Sequence, residues 1–172
     1  MRITPRKAQG LPVGGILWSW VGGFLGIFIL GYVHFNVPDR SDAFMLITAF
    51  GSSAVLVFGN KESPQAQPRN LIGGHLLSAL VGVLTYKMLP DQPWLAASIG
   101  TATAIAAMQC TNTLHPPGGA TALIAVIGTK NIHDLGFLYV IAPVGLGAGV
   151  LLLLGLLINN IPKNSRYPER WF

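Results

Sequence analysis

Residues 11–35 contain no charged side chain. At 1.5 Å per residue a helix of that length crosses a bilayer core of roughly 30 Å, and in lipid a lone segment satisfies its backbone only by being helical. Trp18 and Trp20 near one end, with Tyr32 and His34 near the other, suit the two interfaces. Five more apolar runs follow, at residues 43–59, 71–89, 94–110, 113–128 and 135–158. Four of the six are long and two, 43–59 and 113–128, are short or broken. The pattern predicts an all-α integral membrane protein with one transmembrane domain over residues 1–172. Composition agrees: 10% of residues are charged, against about a quarter in soluble domains, and the mean hydropathy is +0.54.

Several classes fall away. The net charge of +5 sits in tails and loops, with no basic stripe interleaved with aromatics, so nucleic acid is not an expected partner. A single cysteine, Cys110, excludes an internal disulfide and any cysteine-rich metal site. The apolar runs hold no pair of carboxylates, no HExxH and no Ser/His/Asp order, so no enzyme, metal or cofactor is expected. The N-terminal MRITPRKAQG is like the start of a signal peptide, but the run after it is too long for a signal core and reads as a retained helix. Small residues at four-residue spacing, Gly22 with Gly26 and Ala96, Gly100 and Ala104, predict close helix contacts and a homo-oligomer. The tail PKNSRYPERWF, basic and aromatic, suits a headgroup interface.

The short run at 113–128, TLHPPGGATALIAVIG, carries the chemistry. Two prolines remove two donors, and Pro116 drives His115 out of the α region, so an incoming helix ends before it and a new one can start at Pro117. Gly118, Gly119 and Ala120 leave the amides of that new terminus uncovered, which makes it a place for an anion, with Thr113 and Asn112 able to cap or line it. The other short run holds Gly51, Ser52 and Ser53, which align with Gly119, Ala120 and Thr121. The match suggests two repeats, about 11–89 and 91–160, each ordered long, short, long; three crossings per repeat would make them inverted. Paired short, glycine-interrupted segments point to a binding site near the midplane. With both termini cytoplasmic, Arg2, Arg6, Lys7, Lys61, Arg69, Lys163, Arg166 and Arg170 lie inside, against Arg40, Lys87 and Lys130 outside. The charge rule does not choose between six crossings and four with two re-entrant segments.

The segment His115-Pro116-Pro117-Gly118-Gly119-Ala120-Thr121-Ala122 resembles the signature of the HPP family of small integral membrane proteins. Residues 51–75 resemble its second well-matched region, at Ser63-Pro64, Gln67-Pro68-Arg69-Asn70 and Gly73-Gly74-His75. The resemblance implies nitrite transport in a bacterial inner membrane or a plastid-type envelope. It carries over no agreed set of functional residues.

An anion site in lipid needs positive potential without a trapped charge. Lys or Arg at the bilayer centre costs about 2.5–3.5 kcal/mol on insertion scales, whereas a helix terminus supplies roughly half a charge. The apolar centres here hold no basic residue, so amides and the hydroxyls of Ser52, Ser53, Thr113 and Thr121 are the available donors. His115 can touch the anion, relay a proton or brace the loop; His75 can match it or bond a carbonyl or serine; Arg69 is a pore-mouth charge or one of the inside charges. Moving an anion inward costs about 2.3 kcal/mol per 100 mV, which a co-transported proton would offset, with His115 or His75 as carrier. The reading from another class is an accessory or sensor subunit that scaffolds a partner without flux of its own.

Overall fold

The computed structural model describes residues 13–36, 48–163 and 165–171. Arg2, Arg6 and Lys7, the turn holding Pro38, Asp39, Arg40 and Asp42, and the start of the second run at 43–47 lie outside the described residues. The rest is helical, with no strand among the described residues. In order the helices are α1 (Val13–Asn36), α2 (Thr48–Gly59, widening to π geometry over Val55–Gly59), α3 (Pro68–Met88), α4 (Pro93–Cys110), α5 (Pro116–Ile127), α6 (Lys130–Leu135) and α7 (Val140–Ile158). Proline opens α3, α4 and α5, where the missing N–H has no intrahelical acceptor to lose.

Three helices, α1, α3 and α7, are long and apolar enough to cross a membrane, and α2 and α5 are shorter apolar helices. Each short helix rises only about 18 Å, too little to cross alone. α4 has 18 residues, but its Ala and Thr content leaves it less apolar than the three spans. The last run is not one helix, as its composition had implied. Gly136 turns the chain at φ +52°, α6 ends there, and α7 is kinked at Ala142 (φ −132°, ψ 118°) because Pro143 disfavours the α region for the residue before it.

α3 is the centre of the packing, with α4 and α5 against it. Glycine sets how close α5 comes. A Cβ on Gly82 would stand 2.5 Å from the Ala122 carbonyl oxygen, one on Gly118 would stand 3.0 Å from the Gly74 oxygen, and one on Gly74 would run into His115. Ala96, Gly100 and Ala104 are all buried, as their spacing implied. Gly22 and Gly26 hold the ring of Phe58 from α2 instead of a second glycine face, and Ser19 Oγ donates to the Phe58 carbonyl at 2.8 Å. Phe50 fills the matching notch at Gly147 of α7. The opposite side of α1 exposes a stacked ladder of Trp20, Phe24, Phe28 and Tyr32.

Replacing Gly82 with leucine should force α3 and α5 apart and cost about 1–3 kcal/mol or more, the range for overpacking a tight core. The expected reading is a lower unfolding temperature in detergent, with Gly149→Leu, where the position is open, close to unchanged.

Candidate functional site

The helix ends that meet around α3 build the site. At the start of α3, Arg69 Nη2 donates to the Thr111 carbonyl at 2.7 Å and Asn70 Nδ2 to the Leu114 carbonyl at 2.9 Å, which ties it to the end of α4 and the start of α5. Just inside this junction lies a fully buried polar chain. Ser53 Oγ of α2 stands 2.7 Å from His75 Nε2 and 2.9 Å from His115 Nε2, so one hydroxyl bridges two imidazoles. His75 Nδ1 lies 2.7 Å from Thr121 Oγ1 of α5, and His115 Nδ1 lies 2.8 Å from the Gln65 carbonyl oxygen. The rings sit edge to face with centroids 4.8 Å apart, and Phe50 covers the outer side of His75. Tyr139 OH donates to the Thr121 carbonyl at 3.1 Å. A buried polar group without a partner costs about 1–3 kcal/mol, so this chain is satisfied link by link.

The expected site residues divide. Ser53, His75, His115 and Thr121 come together in one network, and through Ser53 and His115 the two short helices touch. Gly51 and Ser52 do not join it: both are exposed on the outer side of α2. Gly119 and Ala120 are half-buried and outside the network, Gly119 facing Thr101 and Ala120 packed against the hydrophobic core. Thr113 is buried beneath Gly73, with its hydroxyl 2.8 Å from Thr111 Oγ1. The expectation of uncovered amides at the start of α5 is corrected. Pro116 and Pro117 have no N–H, and the Gly118 amide donates to the His115 carbonyl at 2.8 Å, so glycine there permits helix contact and does not bare a donor. His75 is seven residues into α3, about 10 Å from its start, in a helix about 30 Å long.

At the junction of α3 with the end of α4 and the start of α5 lies a cavity of about 400 Å³. Arg69 and Asn112 line it, as does Arg170 from the tail; Gln67, Asn70, Gln109 and Leu114 lie among the other lining residues, and none of the described lining residues is Asp or Glu. Asn112 reaches this wall through a left-handed backbone (φ 54°) that asparagine tolerates better than most residues. Arg170, Gln67 and Gln109 were missed by sequence reasoning. The tail, assigned to a headgroup interface, is instead docked on the protein: Tyr167 is buried and donates to the Ala66 carbonyl at 2.7 Å, while Gln67 Oε1 accepts from the Glu169 amide at 2.9 Å. Burial pushes the Tyr167 phenol up, so it remains a donor across the physiological range. The alternation of Tyr167 and Pro168 with charged residues was the signal available.

Three long apolar helices, short helices that break inside the apolar layer, and a buried polar network between them define a multi-pass membrane protein. The chain belongs to the HPP transmembrane family, whose transmembrane region it matches over residues 8–168. It is 40% identical to one transmembrane protein of Dictyostelium discoideum, over 98% of this chain and 54% of that one. A second transmembrane protein of the same organism is 41% identical, over 90% of this chain and 55% of the relative. The chain thus spans about half the length of the curated relatives it matches. No solved structure matches it.

Replacing Tyr167 with phenylalanine removes one buried bond, worth about 0.5–1.5 kcal/mol. The tail should then loosen, read as faster amide exchange at Glu169 and Arg170, whose N–H groups lie beside the same anchor.

Proposed function

We infer that the protein passes a small anion, nitrite being the first choice, through the membrane by way of the arginine-lined cavity. The observation that carries this reading is the presence of Arg69 and Arg170 in one cavity with no Asp or Glu among its described lining residues, where Leu114, next in sequence to His115 of the polar network, also lines the wall. Two guanidiniums at the rim draw an anion in, while the apolar layer beneath holds no fixed full charge, in keeping with the cost of burying one. The reading moves the first anion contact from the α5 amides to the rim and makes the Ser53 pair the inner element.

On this reading all six apolar runs cross, α2 and α5 as half-length passes meeting at Ser53 and His115, in two inverted repeats. Both termini are then cytoplasmic, with the cavity on that side. Lys61, Arg69, Lys163, Arg166 and Arg170 would share that face, against Lys87 and Lys130 opposite. The exposed small residues Ser98, Ala102 and Ala106 on one face of α4 support self-association as a homo-oligomer. The membrane would be a bacterial inner membrane or a plastid-type envelope. Ser53 is fully buried with both imidazoles bonded to it, which suits a relay and not a nucleophile, so the protein is proposed as a transporter and not an enzyme.

Nitrite uptake into proteoliposomes with an imposed pH gradient tests the reading. Uptake should exceed that of empty liposomes, and Arg69→Gln with Arg170→Gln should lower it on the order of tenfold at low nitrite, as expected for losing a charge-assisted bond of about 1.5–3 kcal/mol. No flux above empty liposomes would reject it in favour of a scaffold for another protein.

A further inference from the structure

We propose that Thr121, His75, Ser53, His115 and the Gln65 carbonyl form a one-proton carrier in which protonation of one imidazole reverses the tautomer of the other through the Ser53 hydroxyl. The proposal rests on the transport reading for its purpose, but not for its chemistry.

The hydrogens follow from what each atom can do. The Gln65 carbonyl accepts and never donates, so His115 Nδ1 carries a hydrogen. In a neutral His115 the Nε2 atom is bare, and the donor within reach is Ser53 Oγ at 2.9 Å. Ser53 has one hydrogen, so it must then accept from His75 at 2.7 Å, which places a hydrogen on His75 Nε2. The bare His75 Nδ1 in turn accepts from the Thr121 hydroxyl at 2.7 Å. With both rings neutral, one arrangement satisfies all four contacts, and it runs from Thr121 to Gln65.

One added proton reverses it. The proton binds His75 Nδ1 as the Thr121 hydroxyl turns to the Pro117 carbonyl at 3.3 Å. The Nε2–H bond of His75 then breaks, its electron pair staying on the nitrogen, and a new Oγ–H bond forms on Ser53. The old Oγ–H bond breaks as its hydrogen joins His115 Nε2. Positive charge has moved to His115, His75 is neutral with its hydrogen on Nδ1, and Ser53 now donates to His75. A second proton is opposed by like charge across 4.8 Å between ring centroids.

The surroundings favour a carrier over a static brace. The other titratable or charged groups on this side of the packed elements are Lys61 and Glu62 of the loop before α3, Arg69 of α3, Cys110 of α4, Tyr139 at the start of α7, and Arg166, Tyr167, Glu169 and Arg170 of the tail. α2 adds none, and α5 adds none beyond His115. Tyr139 reaches the chain of bonds, at the Thr121 carbonyl, and no carboxylate among the described residues fixes the charge on either ring. On His115 the proton stands behind Leu114 and Asn70, the floor of the arginine-lined cavity, and gives an entering anion a partner; on His75 it is withdrawn. A movable proton supplies the counter-charge that a permanent buried cation could supply only at a standing cost.

The test is a nitrogen-15 NMR titration of the histidines in the full chain in lipid nanodiscs, beside the flux assay. Above the transition His75 should carry its hydrogen on Nε2 and His115 on Nδ1. On acidification both rings should change at a single midpoint, one becoming charged while the other switches tautomer. Ser53→Ala should separate the two responses by at least one pH unit, and Ser53→Thr, which restores the hydroxyl, should rejoin them. The proposal is overturned if neutral His75 carries its hydrogen on Nδ1, or if the rings titrate independently in the unmutated protein. It is also overturned if His75 keeps its tautomer while His115 is charged, which would mean that Ser53 had turned to the Ala49 carbonyl at 3.2 Å. These readings come from the unmutated chain, so they stand even if a variant fails to fold. A coupled titration without nitrite flux would uphold the carrier and reject the anion.

Discussion

The approach of α5 to α3 is the constraint on which the rest depends. Two backbones come within touching distance at Gly74 and Gly118, and again at Gly82 beside Ala122, so glycine is needed on both helices at the first contact. That approach carries His115 and Thr121 to the two sides of His75, and α2 then needs to contribute one atom, Ser53 Oγ, to close the chain. In lipid, where burying apolar surface gives little drive for helix pairing, close backbone packing and hydrogen bonds between helices do this work. Here both lie along the same contact.

Polar chemistry has been placed where the apolar layer tolerates it. A helix start surrounded by apolar residues leaves amides that need partners, and α5 begins with two prolines, which have none, followed by a glycine whose amide turns back to the His115 carbonyl. The broken helix therefore carries little polar debt of its own. The polarity of the region comes from side chains, and those are joined in sequence with no open end among the bonded atoms from Thr121 to Gln65.

Much of this was legible in the residues. Apolar length and missing charge gave the helical membrane class, and His115-Pro116-Pro117 marked a helix start in the right place because proline acts locally. The two short runs meet at Ser53 and His115, but which of Gly51, Ser52 and Ser53 faces inward depends on helix rotation, which a run that apolar does not encode. The glycines at 118 and 119 were read as bare amides because sequence shows a missing side chain and not the neighbour that fills the space; in Gly118 the neighbours are Ser78, Met108 and Gly74. Arg170 was out of reach for a similar reason. Its place in the cavity depends on Gln67, more than a hundred residues earlier, and no local pattern links the two.

The Gln67 amide is also a mechanical joint. Its nitrogen grips the Lys61 and Ser63 carbonyls at 2.8 and 2.9 Å, and its oxygen holds the Glu169 and Arg170 amides, so one side chain clasps the loop before α3 and the tail together. One of the two arginines at the cavity is therefore carried by a tail segment that this side chain holds in place beyond the Tyr167 anchor. Tension on the tail from beyond residue 171 would act first on this clasp, and releasing it would leave Arg69 alone at the rim, turning a pull along the chain into a change of electric potential at the entrance.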